Sequence, residues 1–98
     1  MRRAKILRLH FSDGQRYDGK PLHEAIVAKC QEMGIAGATV FRGLEGYGET
    51  AEIHRRPIIV LIVDGEEHVQ KLLPVVEGMM DTGMIAISDV EMLRVQRG

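Results

Sequence analysis

Five glycines punctuate the stretch GIAGATVFRGLEGYG, residues 34–48. A chain without Cβ atoms at those positions can turn sharply and bring its amide hydrogens close to an anion. Gly46, Tyr47 and Gly48 open a polar loop that runs to Pro57, and His54, Arg55 and Arg56 stand at its far end. Arg94 and Arg97 add two more cations near the C-terminus. The glycine spacing is neither GxGxxG nor a phosphate loop with its lysine. A ligand-approaching turn and a plain bulge or hairpin corner therefore both fit it. Arg55 and Arg56 beside His54 read as a phosphate clamp, as a surface that meets a partner, or as a solvated cluster before a strand. Arg94 and Arg97 read equally as anion contacts or as a polar strand end and tail.

Other chemistries find less support. The four histidines, His10, His23, His54 and His68, show no HxxxH or HExxH spacing, and no cysteine stands at ligand distance in sequence. No metal centre is expected. Ser12 and Ser88 lie in no nucleophile-elbow motif, and Glu66 with Glu67 opens a helix, where two carboxylates complement the dipole. Asp13 and Asp18 read as turn residues rather than an acid/base pair. No catalytic residues are assigned, and the chain is read as a non-enzyme.

The elements that must position these residues follow from periodicity. Residues 4–11 alternate, with Leu7, Leu9 and Phe11 on one face and Ile6, Arg8 and His10 on the other, which predicts a strand. Loop 12–20 carries the turn formers Ser12, Asp13, Gly14, Asp18 and Gly19, and Pro21 suits the first turn of a helix. Leu22, Ile26, Cys30 and Met33 form one apolar stripe, predicting a helix over 21–33 that ends at a left-handed Gly34. Strand two is expected at 38–46 and strand three at 58–63, apolar on both faces and so in need of cover on both. Asp64 is expected to cap the second helix with Glu67 reaching back. Val69, Leu72, Val76 and Met80 are its stripe, Pro74 lies inside it, and Gly83 closes it. A fourth strand at 84–95, bent at Ser88 and Asp89, completes the set.

Strand, helix, strand, strand, helix, strand is the split βαβ order of an α+β ferredoxin-like sandwich, with both helices on one face of a four-stranded antiparallel sheet. The other face is left bare. One apolar row of strand three, either Ile58, Val60 and Ile62 or Ile59, Leu61 and Val63, must point into it. Such a patch drives association sheet to sheet. Arg8 and His10 share that face, where they could bind an anion or pair with a neighbour's carboxylate.

Composition agrees. At 98 residues, one domain over 1–98 is expected. The net charge of −1 supplies no basic field for nucleic acid, and the longest apolar run is too short to span a bilayer. Cys30 is the one cysteine, with no partner for a disulfide, and its place on the first helix's stripe makes it core packing. The basic start, Met1 to Lys5, is followed by no hydrophobic signal segment, and a cytoplasmic location is expected.

The set Tyr17-Asp18-Gly19-Lys20-Pro21-Leu22, Gly34-Ile35-Ala36-Gly37-Ala38-Thr39-Val40, Arg42-Gly43, Gly46-Tyr47-Gly48 and Ile53-His54 resembles an uncharacterised PII-like family along essentially the whole chain. The resemblance implies a PII-like homotrimer, related to signalling proteins that bind adenine nucleotides in clefts between subunits and present the loop after strand two to partners. Carried over, it makes Gly46, Tyr47 and Gly48 the base of that loop, Thr82 and Gly83 the start of the loop after the second helix, and Arg94 and Arg97 the basic strand end that meets phosphates. Glu49, His54, Arg55 and Arg56 fall on the partner loop, and a membrane transporter is the kind of partner implied. Three departures matter. Glu49 replaces a PII arginine, Met84, Ile85 and Ala86 replace further glycines and a basic residue, and loop 46–57 is shorter. Fewer donors and an added carboxylate favour a lightly charged ligand such as AMP over ATP. No cofactor is required. A metal-tolerance protein of the CutA group shares this architecture and is the alternative, together with a structural oligomer without ligand signalling.

Overall fold

The computed structural model describes residues 1–44, 46–47, 53–54 and 57–97. The strands are β1 (Arg2–Ser12), β2 (Arg16–Tyr17), β3 (Lys20–Pro21), β4 (Gly37–Arg42), β5 (Gly46–Tyr47), β6 (Ile53–His54), β7 (Pro57–Gly65) and β8 (Met84–Met92). The helices are α1 (Leu22–Glu32), between β3 and β4, and α2 (Glu66–Met79), between β7 and β8. The main sheet has the order β4-β7-β1-β8 and every neighbouring pair is antiparallel. This is the ferredoxin-like arrangement that the sequence periodicity implies, with two small ribbons, β2-β3 and β5-β6, added to it.

Alternation along the strands decides where the core lies. In β7, Ile58, Val60 and Ile62 are fully buried, while Ile59, Leu61 and Val63 between them are half-exposed. Leu7, Leu9 and Phe11 of β1 join the buried row, and α1 covers it with Leu22, Ala25, Ile26 and Cys30. Val69, Leu72, Val76 and Met79 of α2 complete the cluster. Burying each of the larger side chains stabilises by roughly 1.5–3 kcal/mol. The opposite face carries Ile6, Ile59, Leu61 and Val63, with Phe41 and Met84 about half exposed beside them. Among the described residues no helix lies over it, as the uncovered row of strand three requires. Register places Arg8 and His10 on the same face, where Arg8 Nη1 donates to Ser88 Oγ at 3.0 Å.

Several boundaries differ from the periodic reading, for local reasons. Pro21 stands just outside α1 as its N-cap, because it is already paired with Arg16 across the β2-β3 ribbon. That ribbon turns at Asp18 (φ 51°) and Gly19 (φ 79°), the two positive dihedrals of a tight hairpin. Gly34 ends α1 at φ 71° as expected, with its N–H on the Gln31 carbonyl and that of Ile35 on Cys30. β4 stops at Arg42, since Gly43 N–H donates to the Pro57 carbonyl at 2.8 Å and closes the ladder; the chain re-pairs only at Gly46. α2 ends at Met79, four residues before the Gly83 expected to close it. Pro74 lies within this single helix. β8 pairs with β1 without interruption through Ser88 and Asp89, so no bend breaks the register there, and the strand ends at Met92 rather than 95.

Candidate functional site

The register brings the ends of β1 and β4 and the starts of β7 and β8 to one edge of the molecule, with Ser12 opposite Pro57, Arg42 opposite Ile58 and His10 opposite Met84. Both segments expected to meet a nucleotide emerge from this end. β5 and β6 pair as Gly46 with His54 and Tyr47 with Ile53, an antiparallel stem that continues beyond β4 and β7. The 81–83 turn leads into β8 at this same end, with β1 between β7 and β8, and Thr82 and Gly83 are exposed. Gly48, Glu49, Arg55 and Arg56 lie outside the described residues.

Two contacts from the turn after β1 organise this end, and neither was visible in the sequence motifs. Gln15 Nε2 donates to the Thr82 carbonyl at 2.9 Å, and Gln15 Oε1 accepts the Asp81 amide at 3.1 Å. Arg42 Nη1 donates to Asp13 Oδ2 at 2.8 Å, tying the end of β4 to the same turn. Gly83 holds φ 135°, and a Cβ there would overlap the His10 carbonyl and the Met80 side chain.

Arg94 is elsewhere. It follows β8 at the opposite edge, where Arg2 pairs with Met92 and Ala4 with Gly65, and the nine residues of β8 put roughly 25–30 Å between it and the 81–83 turn. Arg97 lies further out, exposed and beyond any strand. One chain therefore does not bring Arg94 to Gly46, Tyr47, Thr82 and Gly83.

What Arg94 does approach is Asp64. This carboxylate is fully buried and accepts the amides of Gly65 at 2.6 Å and Ala36 at 2.9 Å. His68 Nδ1 stands 3.0 Å from Oδ2, and because an ionised carboxylate can only accept, the ring carries hydrogen on Nδ1. Guanidinium groups of Arg2 and Arg94 lie 3.6 and 3.9 Å from Oδ1. Burial pushes the Asp64 carboxyl up, but the Gly65 and Ala36 amides and the His68 ring together outweigh it and hold the group below the ordinary carboxylate range. The expected helix cap is thus replaced: Gly65 occupies the N-cap with no side-chain bond, and Asp64 ties β7 to the start of β4 and the first turn of α2. A cavity of about 500 Å³ opens beside this cluster, between Met1, Arg2, His68, Met92, Leu93 and Arg94. Among the described residues, no three His, Cys, Asp or Glu side chains gather as a metal-binding group.

The family model for uncharacterized ACR proteins, DUF190, matches residues 4–92. The chain belongs to that family. A UPF0166 protein of Aquifex aeolicus is 34% identical over 100 residues, covering 93% of this chain and 94% of the relative. Among solved structures, CPII of Thiomonas intermedia K12, a nitrogen regulatory PII-like protein bound to ADP, AMP and bicarbonate, superposes with a TM-score of 0.69 at 20% identity over 97% of this chain and 98% of that one. The divalent ion tolerance protein CutA1 of Ehrlichia chaffeensis gives 0.65 at 16% identity, over 95% and 84%. The DUF190 chain thus has a PII-like ferredoxin fold. Among its described residues no helix is long and apolar enough to cross a membrane.

Proposed function

We propose that this DUF190 chain is a non-enzymatic regulatory module, a homotrimer that binds a small adenine nucleotide between subunits and presents loop 46–57 to a partner protein. The observation that carries the reading is the convergence of the β5-β6 stem and the 81–83 turn at one end of a sheet whose apolar face is open. Arg94 lies at the other end, so its part in the site requires a neighbouring chain to bring it to the turn. The nucleotides named with CPII belong to that protein, and they supply the ligand class for this one. AMP fits better than ATP, since Glu49 and the Met84-Ile85-Ala86 segment offer no cradle for a polyphosphate. Nucleotide contacts at the stem would select one loop state, and differential affinity for the two states would carry the signal to a partner such as a membrane transporter.

Calorimetry and thermal shift with AMP, ADP, ATP and divalent metal ions test this. Ligand at a hundredfold its Kd stabilises by about 2.7 kcal/mol, a readily measured shift. Binding of ATP tenfold tighter than AMP overturns the preference, and no nucleotide binding overturns the reading. Metal binding that depends on histidine would instead favour the CutA-like alternative.

A further inference from the structure

The Gln15 side chain crosses from the turn after β1 to the turn before β8 and meets it at three atoms. Nε2 donates to the Thr82 carbonyl at 2.9 Å and also reaches Thr82 Oγ1 at 3.2 Å, while Oε1 accepts the Asp81 amide at 3.1 Å. Only one orientation of the carboxamide works. Exchanging its oxygen and nitrogen would set oxygen against the Thr82 carbonyl and an amino group against the Asp81 N–H. Gln15 is itself held in place, since its N–H donates to the Ser12 carbonyl at 3.3 Å and its carbonyl accepts the Leu22 amide at 2.9 Å. Thr82 Oγ1 therefore accepts from inside the protein, and its own hydrogen must point away from Gln15. Thr82 is exposed, so that hydrogen is offered to solvent or to an acceptor outside the chain. The next residue, Gly83, is pressed against the His10 carbonyl, which stops the turn from swinging toward β1.

We infer that Gln15 is a positioning residue: it locks the 81–83 turn so that the Thr82 hydroxyl is a fixed, outward-facing donor for an anionic oxygen, such as a phosphate oxygen of a mononucleotide. This assignment deepens the nucleotide reading and rests on it. The carboxamide never touches the ligand; it acts through Thr82.

A mutant cycle on the full chain tests the role, with AMP as the probe in calorimetry and amide hydrogen exchange at Asp81 measured without ligand. Gln15→Ala and Thr82→Val should each weaken AMP binding about tenfold, and the double variant should bind no more weakly than either single one. Thr82→Ser, which keeps the hydroxyl, should retain wild-type affinity. Gln15→Glu can still accept the Asp81 amide but has no donor for Thr82, so it should lose affinity while Asp81 exchange stays slow. Without ligand, Asp81 should exchange about tenfold faster in Gln15→Ala than in wild type. Additive losses in the double variant, or wild-type affinity in Gln15→Ala, overturn the positioning role. Failure of the wild type to bind AMP overturns the nucleotide reading instead; an unchanged Asp81 exchange rate in Gln15→Ala would then show separately that Gln15 does not hold the turn.

Discussion

Gly83 lies with its Cα against the main-chain carbonyl of His10, so close that any side chain at 83 would overlap backbone atoms that cannot move without disturbing β1. The contact joins the turn before β8 to the central strand of the sheet. At φ 135° the residue also occupies a region that side chains rarely tolerate.

Gly83→Ala should therefore destabilise by roughly 1–3 kcal/mol, from backbone strain and overlap together. Urea unfolding of the two proteins measures it. An unchanged midpoint would mean that the 81–83 turn relaxes freely, contrary to its contacts with Gln15 and His10.

The open sheet face yields a paired prediction. Leu61→Lys should leave the fold intact and break the oligomer, because a buried unpaired ammonium costs more than the packing it retains. Ile62→Lys, one residue along and fully buried beneath the helices, should prevent folding instead. Sedimentation and circular dichroism separate the outcomes, and a wild type that sediments as a stable monomer would end the assembly argument.

Which of the two apolar rows of β7 faces the helices could not be read from 58–63, where every residue is apolar and period two carries no contrast. The four strands of the main sheet and their order along the chain were legible from alternation and the helical stripes between them, whereas the two-residue ribbons β2-β3 and β5-β6 are too short to carry a period. The Asp64 network was not. An acidic residue before a helix normally signals a cap, and only the fold brings the Ala36 amide and Arg94 to the same carboxylate. Gln15 was equally silent, because its partners lie 66 and 67 residues away and a lone glutamine in a loop has no periodicity.

Asp64 predicts a defined response to acid. Its folded pKa is depressed below the ordinary value of 3.8, so the unfolded chain takes up the proton first as pH falls. The stabilisation is present above about pH 4 and is lost as pH drops through the folded value. Asp64→Asn, which turns an amide group toward donors, should cost about 1–3 kcal/mol at neutral pH. The gap from wild type should shrink in strong acid. A gap that is constant with pH would show that the ionised carboxylate is not what the network requires.

Cys30 responds at the other end of the scale. Burial pushes its thiol up to about 11, and only 3% of the residue is exposed. Its contribution to stability is complete below the ordinary thiol value of 9.0 and declines as pH rises toward the folded value. Iodoacetamide at pH 8 should label the native protein far more slowly than the urea-unfolded chain. Equal rates would place the thiol at the surface.

Arg94→Ala should weaken AMP binding by roughly 1.5–3 kcal/mol, the worth of one hydrogen bond to a charged group, without abolishing it. Mixing Arg94→Ala subunits with subunits carrying a defective 81–83 turn should restore a fraction of intact sites if the two parts come from neighbouring chains. No recovery on mixing would count against a composite site.

β1 is bracketed by β7 on one side and β8 on the other, so neither of its edges is paired until β7 has been made, and the second edge waits for β8. Closing the sheet joins Arg2 to Met92, almost the full length of the chain. Such long-range pairings are slow to find, since loop closure precedes any gain from contact. On the ribosome, a nascent chain halted before Met84 can form the strands β4-β7-β1 under both helices, but the edge of β1 that β8 will occupy stays open to any other extended segment. Emergence of β8, rather than any local element, sets the moment at which β1 is protected from mispairing.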